Sequence, residues 1–141
     1  MNRTDFCTLI GTYKAKSGKT TTELCYDMRM QWGALRRIEE GQTNFGVDSM
    51  IRYIQMLGYH IQLVSSKDVH GITQYQDVVD WMRDARKGLY SQRTIAQEIG
   101  CSYVNIAKIE TKKSIMSIDT FLRLTDLLGY TIKLETNEQD S

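Results

Sequence analysis

The sequence predicts an all-α fold that is built from two copies of one small helical unit, each followed by a short β-strand. Apolar residues recur at three- and four-residue spacing along most of the chain, and none of the 141 residues is proline. A shift of 71 residues superposes the two halves without a gap. It brings Ile38-Glu39 onto Ile109-Glu110, and Leu57-Gly58-Tyr59 onto Leu128-Gly129-Tyr130. A repeat of this length indicates a tandem pair of domains rather than a solenoid.

The repeat divides the chain into four segments. Residues 1–66 form the first unit, 67–75 a polar linker that contains Gly71, 76–136 the second unit, and 137–141 a tail that is expected to fray. Each unit is predicted to contain four helices and one strand.

In the first unit, the apolar spacing predicts helices over residues 4–16, 20–28, 31–40 and 47–57. Thr20 or Thr21 is the expected N-cap of the second helix. The residues expected to face the core are Phe6, Leu9, Ile10, Tyr13, Leu24, Cys25, Met28, Leu35, Ile38, Val47, Met50, Ile51, Ile54 and Leu57.

In the second unit, the first helix is predicted over residues 76–87 and the fourth over 118–128, with Ser117 as its cap. Residues 91–110 between them are typical of two short helices joined by a tight turn. Ser91 and Ser102 are expected caps, and Gly100 is the expected left-handed end of the first short helix. The expected inward residues are Val78, Trp81, Met82, Ala85, Ile95, Ala96, Ile99, Ile106, Ile109, Phe121, Leu122 and Leu124.

After each fourth helix the period changes from 3.6 to 2, which predicts short strands over residues 59–63 and 130–134. A lone strand leaves its backbone groups unpaired, and antiparallel pairing satisfies them. We expect the two strands to pair within one chain, which would make the chain a monomeric pseudo-dimer. The alternative is a homodimer in which each strand pairs with its equivalent in a second chain. The predicted apolar faces are Tyr59, Ile61 and Leu63, and Tyr130, Ile132 and Leu134.

The pattern Ser91-Gln92-x-x-Ile95-Ala96-x-x-x-Gly100-x-Ser102-x-x-x-Ile106-x-x-Ile109-Glu110 resembles the helix-turn-helix of the phage-repressor/Cro (XRE) family. The resemblance implies two tandem lambda-repressor-like domains, in each of which the third helix enters the major groove of duplex DNA. The strand after the fourth helix resembles that of a subgroup which includes the antitoxins of kinase toxins, where it is a pairing element.

The resemblance also implies which residues contact DNA. Base edges would face Gln31, Trp32, Gly33 and Arg37 in the first unit and Ser102, Tyr103, Val104 and Lys108 in the second. Phosphates would face Thr21 and Gln92, and the neighbouring candidates are Arg36, Arg93, Asn105, Lys112 and Lys113. Arg37 suits a bidentate guanine contact. In the alternative reading, Trp32 and Tyr103 complete the edge of the core and the basic residues form a solvated face.

The first unit departs from the family pattern at three positions. Arg29 replaces the turn glycine, Gln31 replaces the capping serine, and Gly33 lies inside the third helix. We therefore expect a wider turn in this unit, or partial loss of DNA reading. The core positions are intact, so the fold itself should survive.

Composition favours no catalytic or metal chemistry. The three cysteines, Cys7, Cys25 and Cys101, are scattered, and neither His60 nor His70 stands at ligand spacing from them. No catalytic set of residues is recognisable, so we expect no enzyme activity and no cofactor. The N-terminus lacks an apolar signal core and no apolar run reaches membrane-spanning length. The sequence thus predicts a cytoplasmic protein without membrane contact.

The sequence leaves three functions open. The first is sequence-specific binding of duplex DNA as a transcriptional regulator, most simply a repressor that acts by occlusion. The second is an antitoxin-type protein that binds a toxin or other regulatory protein and autoregulates through DNA. The third is a degenerate helix-turn-helix that serves only as a protein-interaction scaffold. The net charge of +1 gives DNA binding only weak support.

Overall fold

The computed structural model describes residues 1–137, and this part of the chain is mostly helical with a small antiparallel sheet. Two similar series of four helices precede β1 and β3, with β2 between the series. The elements are α1 (Arg3–Ser17), α2 (Thr21–Met28), α3 (Trp32–Glu40), α4 (Val47–Met56), β1 (Tyr59–Val64), β2 (Val69–Ile72), α5 (Tyr75–Arg86), α6 (Gln92–Ile99), α7 (Tyr103–Glu110), α8 (Ile118–Leu128) and β3 (Thr131–Thr136).

Local sequence explains where the short helices begin. The side chains of Thr20, Ser91, Ser102 and Ser117 each accept a hydrogen bond from the backbone N–H three residues later, which satisfies a donor that the first helical turn leaves free. The predicted caps at Ser91, Ser102 and Ser117 are confirmed. Of the two residues predicted for α2, Thr20 is the cap.

The strands form a three-stranded sheet in the order β2-β1-β3. In the antiparallel pair of β1 and β3, Ile61 lies opposite Leu134 and Leu63 lies opposite Ile132, and all four side chains are buried. The predicted pairing of the two repeat strands within one chain is confirmed.

Two contacts between the units are symmetric under the 71-residue shift. In the sheet, Gln62 lies opposite Lys133, its own equivalent under the 71-residue shift. A second contact has the same symmetry: Val47 N donates to Met116 O at 2.9 Å, and Ile118 N donates to Phe45 O at 2.8 Å. Both pairs of residues exchange under the repeat, so both contacts lie on one pseudo-two-fold axis.

Strand β2 lies in the segment that was predicted as a linker, and no described residue forms a matching strand beside β3. Ile72 pairs with Ile61 and is buried. The turn before β2 is held by Asp68, whose carboxylate accepts hydrogen bonds from Tyr130 Oη and Ser65 Oγ, both at 2.7 Å. These hydrogen bonds lower the pKa of Asp68 to about 2. The four-residue strand contains a glycine and has no clear alternation, so its sequence gives no strand signal.

Asn137, which was placed in the tail, is held by hydrogen bonds to the start of β1 and the residue before it. Its backbone N donates to Gly58 O at 2.9 Å, and its side-chain oxygen lies 2.7 Å from Nδ1 of His60. The rest of the predicted tail, residues 138–141, lies outside the described residues.

One core runs through both units. Its largest fully buried side chains are Trp81, Tyr53, Phe6 and Phe121, and Trp81 packs edge-to-face against Phe121 with ring centroids 5.9 Å apart. Every residue predicted to face the core is buried or half-buried.

Candidate nucleic-acid interface

In the second unit, α6 and α7 form a compact pair with a buried back and an open front. Gly100 ends α6 in the left-handed conformation at φ 75°, and Cys101 N donates to Ala96 O at 2.9 Å. The side chains of Ile95, Ala96, Ile99, Ile106 and Ile109 bury the back of the pair. The first turn of α7 is left open to solvent on the other side.

The first unit makes the same turn with a different residue. Arg29 adopts φ 53° where the second unit has Gly100, and Met30 N donates to Cys25 O at 3.1 Å, the equivalent of the Cys101–Ala96 hydrogen bond. Of the two expectations for this unit, the wider turn was wrong, and partial loss of DNA reading stays a prediction. A non-glycine residue in this conformation costs about 1–2 kcal/mol, so Arg29 carries local backbone strain.

The aromatic residues at the start of α3 and α7 lie on the surface. Trp32 is 59% exposed, Tyr103 is 44% exposed and the adjacent Val104 is 55% exposed. A guanidinium group covers each ring: that of Arg36 lies 5.4 Å from the Trp32 centroid, and that of Arg93 lies 5.0 Å from the Tyr103 centroid. The two aromatics therefore do not complete the core, and each forms a mixed aromatic and cationic surface.

The predicted basic residues fall into two groups. Arg37, Arg93, Lys108, Lys112 and Lys113 are exposed, and none has an ion-pair partner among residues 1–137. Arg36 instead lies 3.3 Å from Glu39 and 2.7 Å from Glu40, because these residues follow it by three and four positions on one helix.

Three further candidates lie at the first turns of α3 and α7. Gln31 precedes α3 without a capping hydrogen bond, and Gly33 is exposed with open space around it. Ser102 accepts from Asn105 N at 3.1 Å, so its hydroxyl proton remains available to a ligand. Apart from Lys112 and Lys113, which follow α7, each unit's candidates lie on its own pair of helices or at a residue that caps one of them.

Glu39, which the sequence indicated only as a repeat match, accepts a hydrogen bond from the side chain of Thr21. Glu39 accepts hydrogen bonds from Lys14 Nζ at 2.6 Å, Tyr53 Oη at 2.6 Å and Thr21 Oγ1 at 2.8 Å. Burial raises the pKa of Glu39, but the hydrogen bonds from Lys14, Tyr53 and Thr21 outweigh it and leave the pKa lowered. Because the only hydroxyl proton of Thr21 is donated to Glu39, its side chain cannot donate to phosphate. The backbone N–H groups at the start of α2 can still do so.

Glu110 fills the equivalent position in the second unit and is 4% exposed. Arg86 Nη2 binds both of its oxygens, at 2.7 and 3.0 Å, and Gln92 Nε2 lies 2.5 Å from one of them. The Gln92 amide has a second proton that this contact does not use. Gln92 can therefore donate to phosphate where Thr21 cannot.

Another repeated pair also has a structural role. Arg52 Nη2 donates to Met28 O at 2.8 Å, and the equivalent Arg123 Nη1 donates to Ile99 O at 3.3 Å. Each guanidinium thus satisfies a carbonyl at the end of α2 or α6. Arg52 and Arg123 match under the 71-residue shift, as do the Ile-Glu pairs that contain Glu39 and Glu110, so the repeat is the sequence signal that could have indicated their structural role.

Among residues 1–137, the two non-glycine residues with positive φ are both basic, and each has a glycine as its repeat equivalent. Arg29 corresponds to Gly100, and Lys112, at φ 61°, corresponds to Gly41. Gly41 is required, since a Cβ there would lie 3.0 Å from Cys7 Cβ and Sγ. The strained basic residue therefore precedes the exposed helix in the first unit, where Arg29 lies before α3. It follows the exposed helix in the second unit, where Lys112 lies after α7.

Comparison of the chain with protein-family models, with curated proteins and with solved structures gave no match. Among residues 1–137, no group of three or more His, Cys, Asp or Glu side chains could hold a metal ion. Over the same residues, each helix is too short or too polar to cross a membrane.

Proposed function

We propose that the chain binds duplex DNA sequence-specifically through two lambda-repressor-like helix-turn-helix units and regulates transcription, most simply as a repressor that acts by occlusion. The observation that carries this proposal is the α6–α7 pair, which combines an apolar buried back with an exposed first turn of α7. An α-helix supported in this way fits the major groove with its N-terminal residues against the base edges.

The electrostatics of the second unit favour contact with phosphates. Residues 91–117 carry four basic and two acidic side chains, although the chain as a whole has a net charge of only +1. Of these two acidic side chains, Glu110 is buried and is neutralised by its ion pair with Arg86. The exposed cations Lys108, Lys112 and Lys113 remain free to displace counterions from DNA.

From these contacts we infer which side chains on each helix pair face bases and which face phosphates. Ser102, Tyr103 and Val104 would face base edges, with Lys108 one turn later. Gln92, Lys112 and Lys113 would contact phosphates and set the register of α7 in the groove. In the first unit, Arg37 is the side chain best suited to a guanine, since Arg36 is held by Glu39 and Glu40.

Selection from a random duplex library followed by fluorescence anisotropy tests the proposal. A defined motif should be enriched and should bind more tightly than a scrambled duplex. Lys112→Ala/Lys113→Ala should weaken binding to both duplexes about equally, because phosphate contacts carry no sequence information. Lys67→Ala, which removes an exposed charge from the β1–β2 turn, is the matched control and should bind like the wild type.

Two results would point elsewhere. If no duplex binds at low salt, the chain is better described as a protein-interaction scaffold. If binding is salt-sensitive but no motif is enriched, the side chains at the start of α3 and α7 do not read bases.

A further inference from the structure

We infer that a single chain binds an asymmetric duplex with two unlike half-sites in one fixed orientation; this inference rests on the proposed function. The internal two-fold axis through the Gln62–Lys133 and Gly46–Ser117 contacts relates α3 to α7. Duplex DNA has two-fold axes of its own, so a symmetric pair of helices matches two successive half-sites. If the two helices face one side of the duplex, the half-site centres lie about 10 base pairs apart.

The reading side chains differ at every equivalent position. Under the 71-residue shift, Gln31, Trp32, Gly33 and Arg37 correspond to Ser102, Tyr103, Val104 and Lys108. A guanidinium can bind guanine O6 and N7 together, whereas an ammonium is a single point charge. A symmetric backbone therefore presents two different chemical surfaces, and a palindrome cannot suit both of them.

The two surfaces also differ in charge. Residues 20–46 carry three basic and four acidic side chains, whereas the equivalent residues 91–117 carry four basic and two acidic ones. The net charges are therefore −1 and +2. The second unit should supply most of the salt-dependent affinity, and the first unit should contribute mainly discrimination between bases.

The two units also differ in where their strained basic residue lies relative to the exposed helix. Arg29 precedes α3 and Lys112 follows α7, and each occupies a left-handed position where the other unit has glycine. If each side chain contacts phosphate, the contacts fall at opposite ends of the two reading helices. The phosphates contacted in the two half-sites then differ in position as well as in number.

Native mass spectrometry of the complex with the selected duplex tests the stoichiometry, and a matched pair of variants tests the orientation. Arg37→Ala and Lys108→Ala change equivalent positions. Arg37→Ala should reduce affinity about 5- to 150-fold if its guanine contact is bidentate, and should relax preference in one half-site only. Lys108→Ala should act on the other half-site only. Lys67→Ala is again the control.

Arg29→Gly and Lys112→Gly separate a DNA role from a structural one. Each replacement removes backbone strain, so the urea midpoint of unfolding should rise or stay level. Each should also lower the slope of log affinity against log salt by about 0.9 if one phosphate contact is lost. Unchanged slopes would exclude the two residues from phosphate contact and would overturn this part of the inference.

The outcomes distinguish the inference from the function on which it rests. One chain on a duplex with unlike half-sites supports the inference. Two chains on a perfect palindrome would overturn it and leave DNA binding intact. Failure to bind any duplex would overturn both.

Discussion

The buried carboxylate of Glu110 should be a large single contributor to the stability of the second unit. Glu110→Ala leaves the Arg86 guanidinium without its partner, and the Arg86 side chain is only 17% exposed. Breaking a fully buried ion pair on one side costs about 3–5 kcal/mol. Because Arg86 keeps some solvent contact, we expect a loss near the lower end, about 3 kcal/mol in the free energy of unfolding.

The matched control is Glu40→Ala. Glu40 pairs with Arg36 at 2.7 Å, but its side chain is 41% exposed, so the loss should stay below about 1 kcal/mol. Adding Arg86→Met to Glu110→Ala removes the orphaned charge and should restore part of the lost stability.

Urea unfolding followed by far-ultraviolet circular dichroism measures these differences, provided that the m-value stays constant across the variants. A loss for Glu110→Ala within about 0.5 kcal/mol of the loss for Glu40→Ala would refute the reasoning from burial. So would a double variant that is no more stable than Glu110→Ala alone.

Two further predictions concern the turn and the pH dependence. Gly100→Ala should destabilise the fold by about 1–2 kcal/mol, because the φ of Gly100 is 75°. Gly11 lies inside α1 with open space around it, so Gly11→Ala should stabilise the fold by up to about 1 kcal/mol. The sign of the change in the thermal unfolding midpoint of each variant checks this. The lowered pKa of Glu39 means that its contribution is present above its ordinary value of 4.5 and is lost as the pH falls through the lowered value. Glu39→Gln should therefore lose less stability than the wild type on acidification below pH 4.5, as measured by urea midpoints.

The helices and the two repeat strands could be predicted from sequence because their signals are local. Apolar spacing, serine caps and Gly100 act within a few residues, and the repeat doubled each signal. β2 could not be predicted in this way. Its stability comes from pairing with β1 and from the burial of Ile72, and neither contact is visible in a four-residue segment.

The exposure of the candidate residues could be predicted from the sequence, but not all of their contacts could. Arg36 and Arg37 are adjacent residues with the same side chain, but Arg36 is held by ion pairs with Glu39 and Glu40. The spacing of three and four residues could have indicated that contact. The hydrogen bond from Thr21 to Glu39 spans 18 residues and depends on how α2 packs against α3, so no local pattern predicts it.

The salt dependence of duplex binding tests the central claim most directly. A fluorescein-labelled duplex titrated by anisotropy from about 50 to 200 mM salt should bind with log affinity falling linearly against log salt, with a slope of about −0.9 for each phosphate neutralised. Lys112→Ala/Lys113→Ala should make that slope shallower by about one to two if both residues touch phosphate. Absence of binding at the lowest salt, or binding that salt does not weaken, would contradict the account.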